Sequence, residues 1–146
     1  MSLFGDLERR GLVLTHTEII LRLFSGKLQA APTAMTVAAT ITAAALKGGL
    51  ITGTHAVAGT QAYTLPTGTV MDAAITSYFK ANDSFDFTII NLSAALASTI
   101  TLTAAAGFTI VGQATIDSAH ADSEFPSSGT FRARKTAANT FVAYRL

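Results

Sequence analysis

Cysteine and tryptophan are both missing from this chain. Without cysteine there is no disulfide, no thiolate nucleophile and no sulfur-based zinc site, and nothing points to an oxidising compartment. Charge is scarce as well. Only 13% of the residues are Asp, Glu, Lys or Arg, against about a quarter in ordinary globular domains. The net charge of +1 supplies no global field that would draw the protein to nucleic acid or an anionic membrane. No apolar run approaches the roughly 18 residues of a spanning helix. The start, MSLFGDLERRG, lacks a basic stretch followed by an apolar one. Neither a membrane span nor a signal peptide is therefore expected.

Catalytic patterns are equally sparse. His16, His55 and His120 lie far apart, with no spacing that sets two imidazoles on one face. No G-x-S-x-G elbow, Walker loop or G-x-G-x-x-G is present. Asp117, His120, Asp122 and Glu124 crowd into DSAHADSEF, but a solvated loop explains them more simply than a cation site. Asp83 and Asp86, three apart at a strand start, point to opposite faces and make no carboxylate pair. Asp83 reads as a turn residue in ANDS. No enzyme, no cofactor and no metal is expected.

What is abundant is small and apolar. The hydrophobic set reaches 49%, much of it Ala, and Thr is plentiful. A surface so poor in charge, with positive mean hydropathy, suggests area buried against other subunits.

Two styles of sequence meet near Ala31-Pro32. Ahead of them LVLTHTEIILRLFSGKLQ carries a helix start. Thr15 and Glu18 form a capping box, Leu14 and Ile19 occupy the staple positions, and Gly26 suits the stop. Ile19, Ile20, Leu23 and Phe24 then share one helical face. So short a helix does not persist alone in water, so it must dock on its own domain, a sister subunit or a partner. This arm is assigned to residues 1–35 and a β-domain to residues 36–146.

In the second part the period changes to two. SFDFTIIN (84–91) is the clearest strand, with Phe85, Phe87 and Ile89 on one face. TITLT (99–103) alternates likewise, and FTIVGQATI (108–116) reads as two strands kinked at Gly112. Further strands are expected in MTVAATI (35–41), LITGT (50–54) and AYTLP (62–66). Short helices are expected over 42–49, capped by Thr42 and stopped by Gly48-Gly49, and over 69–79. The expected fold is all-β: a jelly-roll-like β-sandwich with a short N-terminal helical arm.

The final stretch, GTFRARKTAANTFVAYRL, holds four basic residues and three aromatics without an acid. On a strand, Arg132 and Arg134 share one face, while Phe131, Ala133 and Lys135 take the other. A nucleic-acid platform needs bases and aromatics presented together, so no nucleic-acid partner is expected. Between Ala81 and Glu124 lie five acids and no base. Arg132, Arg134 and Arg145 are therefore expected to pair with this acidic block across strands, within a subunit or between subunits. Phe131 and Ala133 are expected to point into the sandwich, as are Val142 and Tyr144, with Leu146, on the returning strand.

Four strings now call for comparison: AYTLPTGTVMDAA (62–74), SFDFTIINLSA (84–94), TITLTAAAGFTIVG (99–112) and SSGTFRARKTAANTFVAYRL (127–146). Together they resemble a small β-domain of tailed-phage virion proteins, found in head decoration (cement) proteins and fibre-like appendages, notably of cyanobacterial phages. The YTLPTG turn, the NDSF strand entry and the FRARKTAANTF hairpin are its most distinctive parts. The resemblance covers about residues 36 to 146 and leaves the arm outside. It implies a structural protein without an active site, usually trimeric, made in the host cytoplasm and carried on the virion. The leading expectation is a capsid decoration protein whose partners are itself, as a homotrimer, and the major capsid protein. On that reading Ile19, Ile20, Leu23 and Phe24 form the docking face. The alternative is a tail or head appendage that binds a receptor or glycan, for which three tyrosines and no tryptophan are thin stacking equipment.

Overall fold

The computed structural model describes residues 29–120 and 126–146. Its organising strand is the one with the cleanest alternation. Ser84–Asn91 (β5) turns Phe87, Ile89 and Asn91 into the interior and leaves Thr88 and Ile90 half-buried. In chain order the other strands are Thr33–Met35 (β1), Ala39–Thr40 (β2), Leu50–Gly53 (β3), Gly59–Thr64 (β4), Ser98–Thr103 (β6), Phe108–Val111 (β7), Thr115–Ile116 (β8), Ser128–Ala137 (β9) and Thr140–Arg145 (β10). They form two sheets, ordered β1-β3-β5-β9-β10-β7 and β2-β4-β6-β8. The protein is thus mostly β, in two sheets, as the period-two pattern implies.

The connectivity differs from the expected jelly roll, which is built of antiparallel pairs. Five of the eight pairings here are parallel. The chain rises through the first sheet in β1, β3 and β5, and each time crosses to the second sheet in β2, β4 and β6. A parallel neighbour requires a crossover, and two short helices serve as the return paths. Ala43–Gly48 (α1) joins β2 to β3, and Gly68–Ala74 (α2) lies on the return from β4 to β5.

Each helix is bounded by local chemistry. Thr42 Oγ1 accepts the Ala45 N–H at 3.1 Å, and Gly49 closes α1 in the left-handed region at φ 80°. Thr67 Oγ1 accepts the Val70 N–H at the start of α2. That helix ends at Ala74, earlier than the expected 79. The stretch MTVAATI, expected as one strand, is divided into β1 and β2 on different sheets. β1 begins at Thr33, ahead of the boundary placed at residue 36. The helix expected in the arm, with Ile19, Ile20, Leu23 and Phe24, lies outside the described residues.

The core between the sheets includes Tyr63, Leu65, Met71, Phe87, Ile89, Ile100, Leu102, Phe131 and Phe141, each at most 2% exposed. Phe87 stacks on Phe131 with centroids 5.4 Å apart, and Phe108 on Phe141 at 5.0 Å.

The closing hairpin corrects one expectation. Phe131 and Ala133 do point inward, but on β10 it is Phe141 and Ala143 that are buried, while Leu146 is exposed. The cause is a register shift between Thr140 and Phe141. Thr140 pairs with Ala137, then Phe141 pairs with Lys135, so one residue of β9 is left unpaired. Because side chains alternate with a period of two, that single step turns the whole of β10 over. Ala143 then opposes Ala133, and Arg145 opposes Phe131.

Candidate functional site

Met35, Gly53 and Asn91 sit side by side at the ends of β1, β3 and β5. Three loops therefore leave the first sheet at one level: residues 36–38, 54–58 and 92–97. They carry Val37, Val57, Leu92 and Leu96, all between 49% and 64% exposed. Single exposed aliphatics are ordinary, but four on three adjoining loops make an apolar end.

Buried polar groups hold these loops together. His55 N–H donates to Ser93 Oγ at 2.8 Å, and Ser93 N–H donates to Asn91 Oδ1 at 3.1 Å. Asn91 Nδ2 donates to the Ser98 carbonyl at 2.9 Å, and Ala119 N–H to the Ser93 carbonyl at 3.0 Å. Thr54 N–H donates to the Met35 carbonyl, and Leu92 N–H to the Gly53 carbonyl. Under them the His55 ring is 4% exposed. Its Nδ1 lies 3.2 Å from the Thr36 carbonyl, which only accepts, so Nδ1 carries the proton. Its Nε2 lies 2.9 Å from the Tyr63 hydroxyl oxygen, which also lies 3.2 Å from the Met35 carbonyl. The three loops thus share one buried polar network, which ties them together from beneath.

The network has a measurable signature. Burial pushes the Tyr63 phenol up to about 12, because the interior disfavours its anion. A group whose folded value is raised stabilises the fold fully below its unfolded value, about 10, and loses that contribution as pH rises toward 12. Ultraviolet titration is expected to show a phenol ionising late, near pH 12, with unfolding setting in over that window. Tyr63→Phe is expected to cost about 1–3 kcal/mol in denaturant melts, since it leaves buried His55 Nε2 and the Met35 carbonyl without their hydroxyl partner. It should also remove the late-titrating phenol.

The hairpin cations are placed as follows. Arg132 opposes Asp86 directly in register and grips it with two bonds, Nε at 2.7 Å and Nη2 at 2.9 Å. Both side chains are well exposed, so this pair sets register more than it adds stability. Arg134 donates to the Asn82 amide oxygen rather than to an acid. Arg145 faces inward, lies over the Phe131 ring at 5.0 Å and donates to the Ser128 carbonyl at 2.9 Å. It has no carboxylate partner among the described residues, and burial pushes its guanidinium down from its ordinary value.

Two features went unread in the sequence. Lys135, on the inward face with Phe131, reaches Asp72 of α2 at the opposite end of the sandwich. Asp72 also accepts the Asn139 N–H at 2.9 Å. The Lys135 hydrogen bond is the largest cause holding the Asp72 carboxyl below its usual range. Its place beside Phe131 and Ala133 was the available signal: a lysine in phase with core residues needs an acid at the rim. The second is a backbone junction. The Gly68 N–H donates to the Ala106 carbonyl, and the Phe141 N–H to the Gly107 carbonyl. The TLPTG, AAAGF and TAANTF strings thus meet at one point. Asp117 and His120 are described and Asp122 and Glu124 are not. Among the described residues no group of three or more His, Asp or Glu could hold a metal.

No protein-family model, curated protein or solved structure matches the chain. No helix among the described residues is long and apolar enough to cross a membrane.

Proposed function

We propose that this chain is a structural virion protein, a decoration protein that docks on the outer surface of a phage head and bridges neighbouring capsomers. The observation that carries the reading is the apolar loop end. Val37, Val57, Leu92 and Leu96 stand exposed on loops already locked from beneath, so little ordering cost falls on docking. The resemblance of residues 36 to 146 to virion β-domains supplies the particle.

Magnitudes explain why such a protein works as an oligomer. Burying four aliphatic side chains contributes about 6–12 kcal/mol gross. Association itself costs about 4–15 kcal/mol, so one copy grips weakly. A homotrimer presenting three such ends gains by effective concentration without any new contact.

The test is co-sedimentation with mature heads stripped of their decoration. The wild-type chain is expected to run as a trimer and rebind. Val57→Asp and Leu92→Asp, both at exposed positions, are expected to keep the fold and lose at least about tenfold in affinity. Equal binding by these variants would remove the loop end from the account. A monomer without affinity for heads would overturn the proposal, and retention on host cells instead would favour an appendage that binds a receptor or glycan.

A further inference from the structure

The end of the sandwich opposite these loops carries an open groove. It is lined by Lys47 at the end of α1 and by Ile75, Thr76, Phe79 and Phe85, and encloses about 230 Å³. Phe79 and Phe85 meet edge to face with centroids 6.0 Å apart, and both remain only half-buried. Two phenyl rings and an isoleucine left at a rim form a surface that lacks its cover. A dry cavity of about 150 Å³ accepts a benzene ring, so this one holds a large apolar side chain with room to spare.

We infer that the groove is the seat of the chain's own N-terminal segment, through the apolar face formed by Ile19, Ile20, Leu23 and Phe24. Where the described chain begins argues for this occupant. The Gln29 side chain donates to the Gly48 carbonyl, one residue from Lys47 on the groove's rim. The five steps from Phe24 to Gln29 span at most about 17 Å, so the apolar face is tethered beside this opening. The sequence expectation of a helix starting at the Thr15–Glu18 capping box, too short to persist alone, calls for a surface to lie on. The groove supplies aromatic walls with no acid, and the arm supplies four large apolar side chains. Seated there, the arm occupies the helical end and leaves the loop end clear, so the inference stands independently of head binding.

The absence of native cysteine allows a direct test in the full-length chain. The chain carrying Ile20→Cys and Thr76→Cys, the latter at an exposed position, is oxidised and run without reductant. The expected product is an intramolecular disulfide in most of the protein, seen as a faster-migrating monomer. The control pair, Ile20→Cys with Val57→Cys at the opposite end, is expected to remain reduced. A disulfide-linked dimer in the first pair would assign the groove to another copy's arm and overturn the inference. So would failure to oxidise, or equal oxidation of the control. Hydrogen exchange supplies a second reading: removing residues 1–28 is expected to raise exchange at Thr76, Phe79 and Phe85 selectively. Unchanged exchange there would also overturn it.

Discussion

Phe131→Ala is expected to lower the stability of this protein by about 3–5 kcal/mol, the range for emptying a buried phenylalanine site. Several contacts fail together. Phe131 is fully buried, stacks on Phe87 across β5 and β9, and carries the Arg145 guanidinium over its ring. Removing the ring leaves a cavity between the sheets and strips Arg145 of its one aromatic support. For a chain of this length each kcal/mol shifts the melting temperature by roughly 2–4 °C, so a fall of roughly 6–20 °C is expected in calorimetry. Against a total stability of about 5–15 kcal/mol this is a large share. A loss under about 1.5 kcal/mol would mean that the two sheets do not close around the Phe87–Phe131 stack.

Gly68→Ala tests the other end of the domain, and there two arguments predict opposite signs. Gly68 opens α2, and intrinsic propensity favours alanine over glycine in a helix by up to about 1 kcal/mol. Packing says otherwise. A Cβ at this position would lie 1.9 Å from the Asn139 carbonyl oxygen and 3.1 Å from Gly107 Cα. Both obstacles are backbone, so no side chain can swing aside. Relief would have to part α2 from the β9–β10 turn, where Asp72 holds Lys135 and Asn139. The expected outcome is a net loss of about 2–3 kcal/mol by denaturant titration, the upper range for overpacking. Gly59→Ala is the useful contrast. Nothing lies within 4 Å of its Cβ, so only its φ of 122° opposes substitution, and about 1 kcal/mol is expected. A stabilised Gly68→Ala variant would refute the junction.

These two sites show which structural signals act locally. The Thr42 cap and the Gly49 stop of α1 were readable because a capping oxygen and a left-handed glycine act within one turn of chain. The same holds for β5 and β6, where the alternation of Phe87 with Ile89 and of Ile100 with Leu102 states which face is buried. The facing of β10 was not readable. Val142 and Tyr144 are as apolar as Phe141 and Ala143, and a single unpaired residue in β9 decided between them. The loop end was hidden for a different reason. Val37, Val57, Leu92 and Leu96 are spread over sixty positions, and neighbouring loops become neighbours only once β1, β3 and β5 pair in parallel.

The sequence by itself determined the mostly β character, the short capped helices, the inward phase of Phe131 and Ala133, and the need of Arg132 for an acid from the 81–124 block, which the structure supplies as Asp86. Each follows from the period of the backbone or from a cap that reaches only a few residues. Tertiary structure alone decided that the strands coil in parallel between two sheets, that Lys135 finds Asp72, and that His55 and Tyr63 lock three loops from below. Those outcomes depend on which surfaces meet across dozens of residues, and no local propensity encodes that meeting.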